Sequence, residues 1–250
     1  ALGRGVVAGP VDAALIGVGF LSLGLYVRHA LRTPHPILDL RLLALPTFRA
    51  SVGGGFLFRL GLGATPFLLP LLFQMGFGLN PFQSGTLTFV STLGAMAMKP
   101  TAGPILKRFG FRNVLAANAL ISTCFFLANT LFTAATPHAI IIAVLLTGGF
   151  FRSLQFTAIN AVAYAEVDDR RMSHATSLAA VGQQLSLSVG VTLGAGVLEL
   201  TRARHGVGSA LEVGDFAPAF LIVGLVSAMS FLFFARLSPD AGAEISGRRR

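Results

Sequence analysis

Seven long apolar segments, separated by short stretches that hold most of the charged residues, constrain this chain more than any other feature of its sequence. They lie at residues 11–27, 50–73, 84–106, 113–136, 139–165, 175–198 and 216–235. A helix needs about 20 mostly apolar residues to cross the hydrocarbon core of a bilayer. Because a backbone in lipid must satisfy its own hydrogen bonds, each segment is predicted to be a transmembrane helix.

The charged residues are too few for a soluble protein. They make up 12% of the chain, against 54% hydrophobic residues, whereas soluble domains carry about 25% charge. The net charge is +9, and the basic residues lie in clusters between the spans. This distribution predicts the lipid bilayer as a partner and predicts that the chain does not bind nucleic acid. The lone Cys124 lies in an apolar run, and the five histidines lie in loops or at span edges without ligand spacing. We therefore expect no metal site and no cofactor.

The basic residues set the predicted orientation. Of the 19 Lys and Arg, 13 lie in one set of alternate loops and 3 in the other. The positive-inside rule places the richer set in the cytoplasm, which predicts a multi-pass protein of the inner membrane with a cytoplasmic C-terminus. Ala1 is then external, and residues 1–10 lack the apolar core of a signal peptide. Further spans are therefore expected upstream.

A short basic segment follows the third predicted span. Its marked residues are Gly103, Lys107, Arg108, Gly110 and Arg112. The glycines are predicted to allow a tight turn, and the arginines to face anionic headgroups, although an ordinary cytoplasmic loop has the same composition. The segment resembles the signature G-x-L-x-D-R-x-G-R-K of the major facilitator superfamily, as it recurs in the second half of those transporters. Lys107 stands at the family's aspartate, so the ion-pair latch that the resemblance implies lacks its acid.

Small residues recur every four positions in the sixth span, at Gly182, Ser186, Gly190 and Gly194. Such a row lets two membrane helices approach closely. The surrounding residues 179–196, together with 69–76 and 79–85, resemble the fourteen-span drug:proton antiporters of that superfamily. The resemblance covers nearly the whole chain and implies that the first span is the eighth of fourteen.

The resemblance implies an all-α integral membrane protein of about seven transmembrane helices. The last six form one bundle of two inverted three-helix repeats. Residues 1–49 would hold one transmembrane helix and a cytoplasmic linker, 50–236 the C-terminal bundle, and 237–250 a basic cytoplasmic tail. The implied partners are the missing N-terminal half, protons, and a small hydrophobic or cationic substrate.

Polar side chains inside the apolar segments are the candidates for a substrate cavity: Arg59, Gln74, Arg152, Gln155, Gln183 and Gln184. Arg59 and Arg152 are predicted near mid-bilayer, where an arginine costs about 3 kcal/mol or more unless it faces water or a partner. Either arginine can instead pair with a backbone carbonyl or a polar side chain. Each glutamine can instead join two helices.

Two classes of function fit these features. The first is a secondary active transporter that exports hydrophobic or cationic drugs against protons by alternating access. The second is a seven-helix receptor, although the chain has no Trp and its last span has no lysine for a retinal Schiff base. An intramembrane enzyme is excluded because paired aspartates, H-E-x-x-H and G-x-S-x-G are absent. No acid lies deep in the six bundle spans, so the chain alone is not expected to couple transport to protons.

Overall fold

The computed structural model describes residues 10–33, 36–205 and 210–246, and every regular element in these ranges is a helix. The main helices are α1 Pro10–Arg32, α2 Pro46–Gly76, α3 Pro81–Met98, α4 Ala102–Phe109, α5 Phe111–Leu131, α6 His138–Ala163, α7 Asp169–Arg202 and α8 Val213–Ala235. This arrangement confirms the predicted all-α membrane fold. Within the described ranges, α2, α5, α6, α7 and α8 are long and apolar enough to cross a membrane. The helices α1 and α3 lie in the other two predicted spans, but they are not among the five helices that are long and apolar enough. The count of seven transmembrane helices therefore stays a prediction.

The third predicted span is broken into two helices. Its start is fixed by a capping box, in which Asn80 Oδ1 accepts from the Gln83 amide at 2.9 Å and Gln83 Oε1 accepts from the Asn80 amide at 3.1 Å. Pro81 takes the first helical position, where its missing N–H costs nothing. The helix α3 ends at Met98, a 3₁₀ turn containing Pro100 follows, and α4 then begins. The predicted span 84–106 is therefore interrupted by this turn at Pro100, whereas Pro66 and Pro70 are accommodated inside α2.

Two helix crossings form the centre of the bundle. The most extensive contacts join α2 to α7 and α3 to α6. The helices α2, α3 and α5 form one triplet, and α6, α7 and α8 form the next. The first helix of each triplet packs against the second helix of the other triplet. This is the relation expected of two inverted three-helix repeats, and α5 and α8 pack against each other beside them.

Glycine allows the backbones to touch at the crossing of α2 and α7. A Cβ atom added to Gly63 would overlap the carbonyl oxygen of Leu187, and one added to Gly190 would overlap the carbonyl oxygen of Leu60. Gly182 and Gly194 face α2 as well, and Ser186 between them is fully buried. The row of small residues read from the sequence is therefore the surface on which α7 packs against α2.

The crossing of α3 and α6 has the same construction. A Cβ atom on Gly94 would overlap the carbonyl oxygen of Leu146, and one on Gly149 would overlap that of Ser91. Each of the four helices therefore contributes both a glycine and a contacting carbonyl, and the glycine comes three residues after the residue that supplies the carbonyl. The two crossings are thus built alike in local detail as well as in topology.

Helix α1 differs from the bundle in its exposure. Leu15, Leu21 and Leu31 are each more than 60% exposed, so the helix presents a largely apolar surface. The hydroxyl of Tyr26 accepts a hydrogen bond from the Leu38 amide at 2.9 Å, which ties α1 to the linker that follows it.

We expect Gly190→Leu to lower the detergent thermostability of the protein by about 5 °C or more, because no side chain fits between Gly190 and the carbonyl of Leu60. Gly196→Leu is the matched control, since a Cβ at Gly196 on the same helix meets no atom within 4 Å. Thermal unfolding of both variants beside the parent measures the difference. Equal melting temperatures for Gly190→Leu and the parent would show that this backbone contact does not stabilise the bundle.

Candidate functional site

A cavity lies inside the six-helix bundle, among α2, α5, α6 and α8, with one residue from α3. It holds about 520 Å³ of space when its open side is included. Most of its wall is apolar, with Phe58, Phe125 and Phe126 as the largest side chains. The polar residues that line it are Thr65, Ser91, Ser122, Thr123, Asn129, Arg152 and Ser227.

Arg152 is the charged residue of the cavity wall. Its Nη2 donates a hydrogen bond to Ser91 Oγ at 3.1 Å. The position follows from the glycine crossing, because Gly149 brings α6 against the backbone of Ser91 and Arg152 lies about one turn further along α6. The ion pairs found among the described residues join Arg171 to Asp39 and Arg202 to Glu199, far from this wall in the sequence.

Arg59 lies outside the cavity lining, at the contact of α2 with α6. It is 4% exposed, and its Nη2 donates to Asn160 Oδ1 at 2.8 Å. The guanidinium carbon lies 5.5 Å from the centre of the Phe156 ring, a cation–π distance. Gly55 leaves room for this side chain, since a Cβ there would lie 2.6 Å from Arg59 Nη1. Of the two roles left open by the sequence, this geometry supports pairing with a polar side chain.

Gln155 and Gln74 join helices and do not line the cavity. Gln155 is fully buried, with its Nε2 donating to the Leu115 carbonyl and its Oε1 accepting from Asn118 Nδ2, each at 3.0 Å. Both ends of the amide are therefore used between α5 and α6, and the predicted place of Gln155 in a substrate cavity stays a prediction. Gln74 Nε2 contacts Ser84 Oγ at 3.4 Å, between α2 and α3.

Gln183 and Gln184 lie on α7, away from the cavity lining. Gln183 is half-buried, and Gln184 is exposed. Gln184 belongs to a row of exposed small or polar residues spaced by four, which we call the α7 polar row: Thr176, Ala180, Gln184, Ser188 and Thr192. An exposed apolar row runs beside it at Val181, Leu185 and Val189. The sequence reading missed the polar row, although its four-residue spacing was visible in the sequence.

The basic signature segment forms a helix and one turn. Gly103 lies within α4, so its predicted role in a tight turn was wrong, whereas Gly110 has a φ of +77° and makes the turn into α5. That backbone region favours glycine. Lys107 and Arg108 are exposed, and Arg112 is half-buried.

The start of the predicted tail packs against the same segment. Phe111 is 1% exposed, and a Cβ on Gly242 would lie 2.6 Å from its ring. Leu237 is also buried, and the short helix α9, Ala243–Ser246, contacts α4. Residues 237–246 therefore belong to the packed structure. Residues 247–250, which hold the three C-terminal arginines, lie outside the described part.

Acidic residues that the sequence reading did not single out join segments near the start of α2 and the start of α7. Glu166 Oε2 accepts from the Thr47 amide at 3.0 Å and from Thr47 Oγ1 at 2.7 Å. Asp39 Oδ2 accepts from Arg171 Nη2 at 2.8 Å. Burial raises the pKa of Asp39, but the hydrogen bonds from Arg171 and Arg41 and their positive charges lower it more, so the pKa lies below its usual value.

We expect Asp39→Asn to destabilise the protein by about 0.5–1 kcal/mol at pH 7, since the pair with Arg171 is partly exposed. A carboxyl with a lowered pKa stabilises the fold above its unfolded pKa of about 3.9, and this stabilisation disappears as pH falls through the folded-state value. Thermal unfolding between pH 7 and pH 3 should show the gap between parent and variant closing. Asp168→Asn, at an exposed carboxyl, is the control. A gap that stays constant with pH would contradict this role for Asp39.

Comparison with known proteins places these features in a family. The sequence model described as Major Facilitator Superfamily matches residues 52–250. The multidrug resistance protein MdtD of Escherichia coli (strain K12) is 31% identical over 242 residues, which cover 95% of this chain and 51% of that protein. MdtD of Shigella boydii serotype 4 (strain Sb227) gives the same values. The chain spans about half the length of the curated relatives that it matches.

Proposed function

Because the chain belongs to the Major Facilitator Superfamily, we propose that residues 50–236 act as the C-terminal six-helix bundle of a proton-coupled drug efflux transporter. Residues 1–49 supply one further helix and a cytoplasmic linker in this proposal, and the C-terminus is cytoplasmic. The duplicated crossings of α2 with α7 and α3 with α6 support the bundle assignment, since members of this superfamily build each half from inverted repeats. The seven-helix receptor is not supported by any contact described above.

The α7 polar row carries the proposal that a second half covers this bundle. The hydroxyls of the row bond back to their own helix, as in Ser188 to the Gln184 carbonyl at 3.1 Å and Thr192 to the Ser188 carbonyl at 3.0 Å. The amide of Gln184 is exposed and has two donors and an acceptor to satisfy. Lipid supplies no partners for such a group. A water-filled passage between two halves supplies them, while the neighbouring apolar row suits lipid.

The substrate class follows from the relatives and from the surface that the row provides. The MdtD proteins are named for multidrug resistance, and we extend that class to hydrophobic or cationic compounds for this chain. A passage with small hydroxyl side chains on one wall binds such compounds without a fixed set of charged contacts. The internal cavity is a poorer site for a cation, because the guanidinium of Arg152 lines it.

Proton coupling in this proposal depends on a carboxylate of the other half. The acids of the described bundle lie at helix ends or in connections, as in Glu166 after α6, Glu199 in the last turn of α7 and Asp215 in the first turn of α8. A group that titrates during transport must reach the passage through the membrane. Rocking of one bundle against another also requires the second bundle.

We expect Ser188→Cys to react with a water-soluble, membrane-impermeant thiol reagent in the complete transporter, on a background in which Cys124 is replaced by Ser. Val189→Cys is the matched control, one residue along the same helix on the apolar row. Labelling measured by mass shift in intact cells should be high at 188 and low at 189, and a hydrophobic cation should slow it at 188. Equally low labelling at both positions would place the polar row in lipid and remove the main support for the interface.

We expect liposomes that hold only the 250-residue chain to show no export of a fluorescent hydrophobic cation when a pH gradient is applied. Co-reconstitution with the N-terminal half of the complete transporter should restore export that depends on the gradient. Fluorescence quenching with and without a protonophore measures it. Robust gradient-driven export by the isolated chain would contradict the division of roles between the halves.

A further inference from the structure

The cavity inside the bundle holds a positive charge that the described protein atoms do not balance. Arg152 donates to the neutral Ser91 hydroxyl at 3.1 Å, and no Asp or Glu lines the cavity wall. The Ser91 hydroxyl in turn donates to the Thr88 carbonyl at 2.9 Å, so it turns a lone pair to the arginine. A lone charge among apolar groups is costly unless a counter-charge lies beside it.

Two hydroxyl groups of α5 face the same cavity without a hydrogen-bond partner in the described structure. Ser122 Oγ and Thr123 Oγ1 lack one, and their residues are 7% and 6% exposed. Thr65, which also lines the cavity, instead bonds back to its own helix, at the Gly61 carbonyl at 2.6 Å. A buried hydroxyl without a partner is costly to the fold. Ser122 and Thr123 are therefore donors available to a group inside the cavity.

The level of these groups along the helices brings them near one another. Phe125 and Phe151 stack with ring centres 5.7 Å apart, and Asn118 bonds to Gln155 at 3.0 Å. On α6, Arg152 lies between Phe151 and Gln155. On α5, Ser122 and Thr123 lie between Asn118 and Phe125, and therefore at the same level of the bundle as Arg152. Asn129 also has an unpartnered acceptor, Oδ1, but it lies seven residues beyond Ser122, about 10 Å along the axis. The cationic and donor groups thus share one part of the cavity.

We propose that this part of the cavity binds a small monovalent anion, of the size and charge of chloride, between the Arg152 guanidinium and the hydroxyls of Ser122 and Thr123. One guanidinium balances one negative charge. The hydroxyl donors complete the shell. The anion links α5 to α6 and acts as a fixed counter-ion for Arg152, independently of which substrate the complete transporter moves.

The test is the thermal unfolding of the purified 250-residue chain in sodium chloride against sodium gluconate at constant ionic strength. Binding to the folded state raises the melting temperature with anion concentration, so we expect a saturable rise in chloride and none in the larger gluconate. Arg152→Gln should abolish the rise. Thr123→Val, which keeps the shape of the side chain, should raise the chloride concentration for half-maximal stabilisation about tenfold, the loss expected for one hydrogen bond to a charged group.

Arg108→Gln is the matched control, since it removes an exposed arginine outside the cavity, and its chloride response should equal that of the parent. Equal responses to chloride and gluconate in the parent would overturn the proposal and leave water as the partner of the hydroxyls. The proposal would also be overturned if Thr123→Val, like the control Arg108→Gln, left the chloride response unchanged. If Arg152→Gln does not fold, anomalous scattering from bromide-soaked crystals of the parent decides the question. We expect a bromide peak beside Arg152. Bromide peaks only at other positions would overturn the site.

Discussion

Backbone-to-backbone contact at two glycine crossings is the constraint on which the rest of this bundle depends. Apolar burial gives little net attraction between helices in lipid, so close packing must hold them together. Gly63 and Gly190 provide it between α2 and α7, and Gly94 and Gly149 between α3 and α6. The second crossing sets Arg152 beside Ser91 and thereby places the cationic side of the internal cavity.

The hydrogen bonds of Arg59, Arg152 and Gln155 in this bundle go to neutral groups and not to opposite charges. Arg59 uses an amide and an aromatic ring, Arg152 a hydroxyl, and Gln155 a carbonyl and an amide. The described ion pairs lie at the two ends of α7, between Arg171 and Asp39 and between Arg202 and Glu199. This division follows from the cost of placing a carboxylate in lipid. It leaves the interior with positive charge, which is the basis for assigning an anion to the cavity.

Much of the fold could be predicted from the sequence because hydrophobicity and small-residue spacing are local signals. The apolar segments located the helices, and the row from Gly182 to Gly194 located the packing face of α7. The break between α3 and α4 was missed because the apolar run continues through Pro100, although the proline itself was visible. The partners of Arg59 and Gln155 lie 101 and about 40 residues away in sequence, so their roles depend on a topology that no local pattern specifies. Arg152, predicted from its charge to line a substrate cavity, lines a cavity inside the bundle, and its role toward substrate stays a prediction.

The reciprocal glycines also determine how this bundle can move. At each crossing the carbonyl of one helix occupies the hollow above a glycine of the other, in both directions. Sliding α7 by a turn would bring Ser186 or Gly194 to the Leu60 carbonyl, but it would also drive the Leu187 carbonyl into Arg59 or Phe67 of α2, so the reciprocal contact forms only in this register. Tilt of the whole six-helix unit meets no such obstacle. A displacement at one end of the bundle is therefore transmitted to the other end, with little loss through slip between the helices.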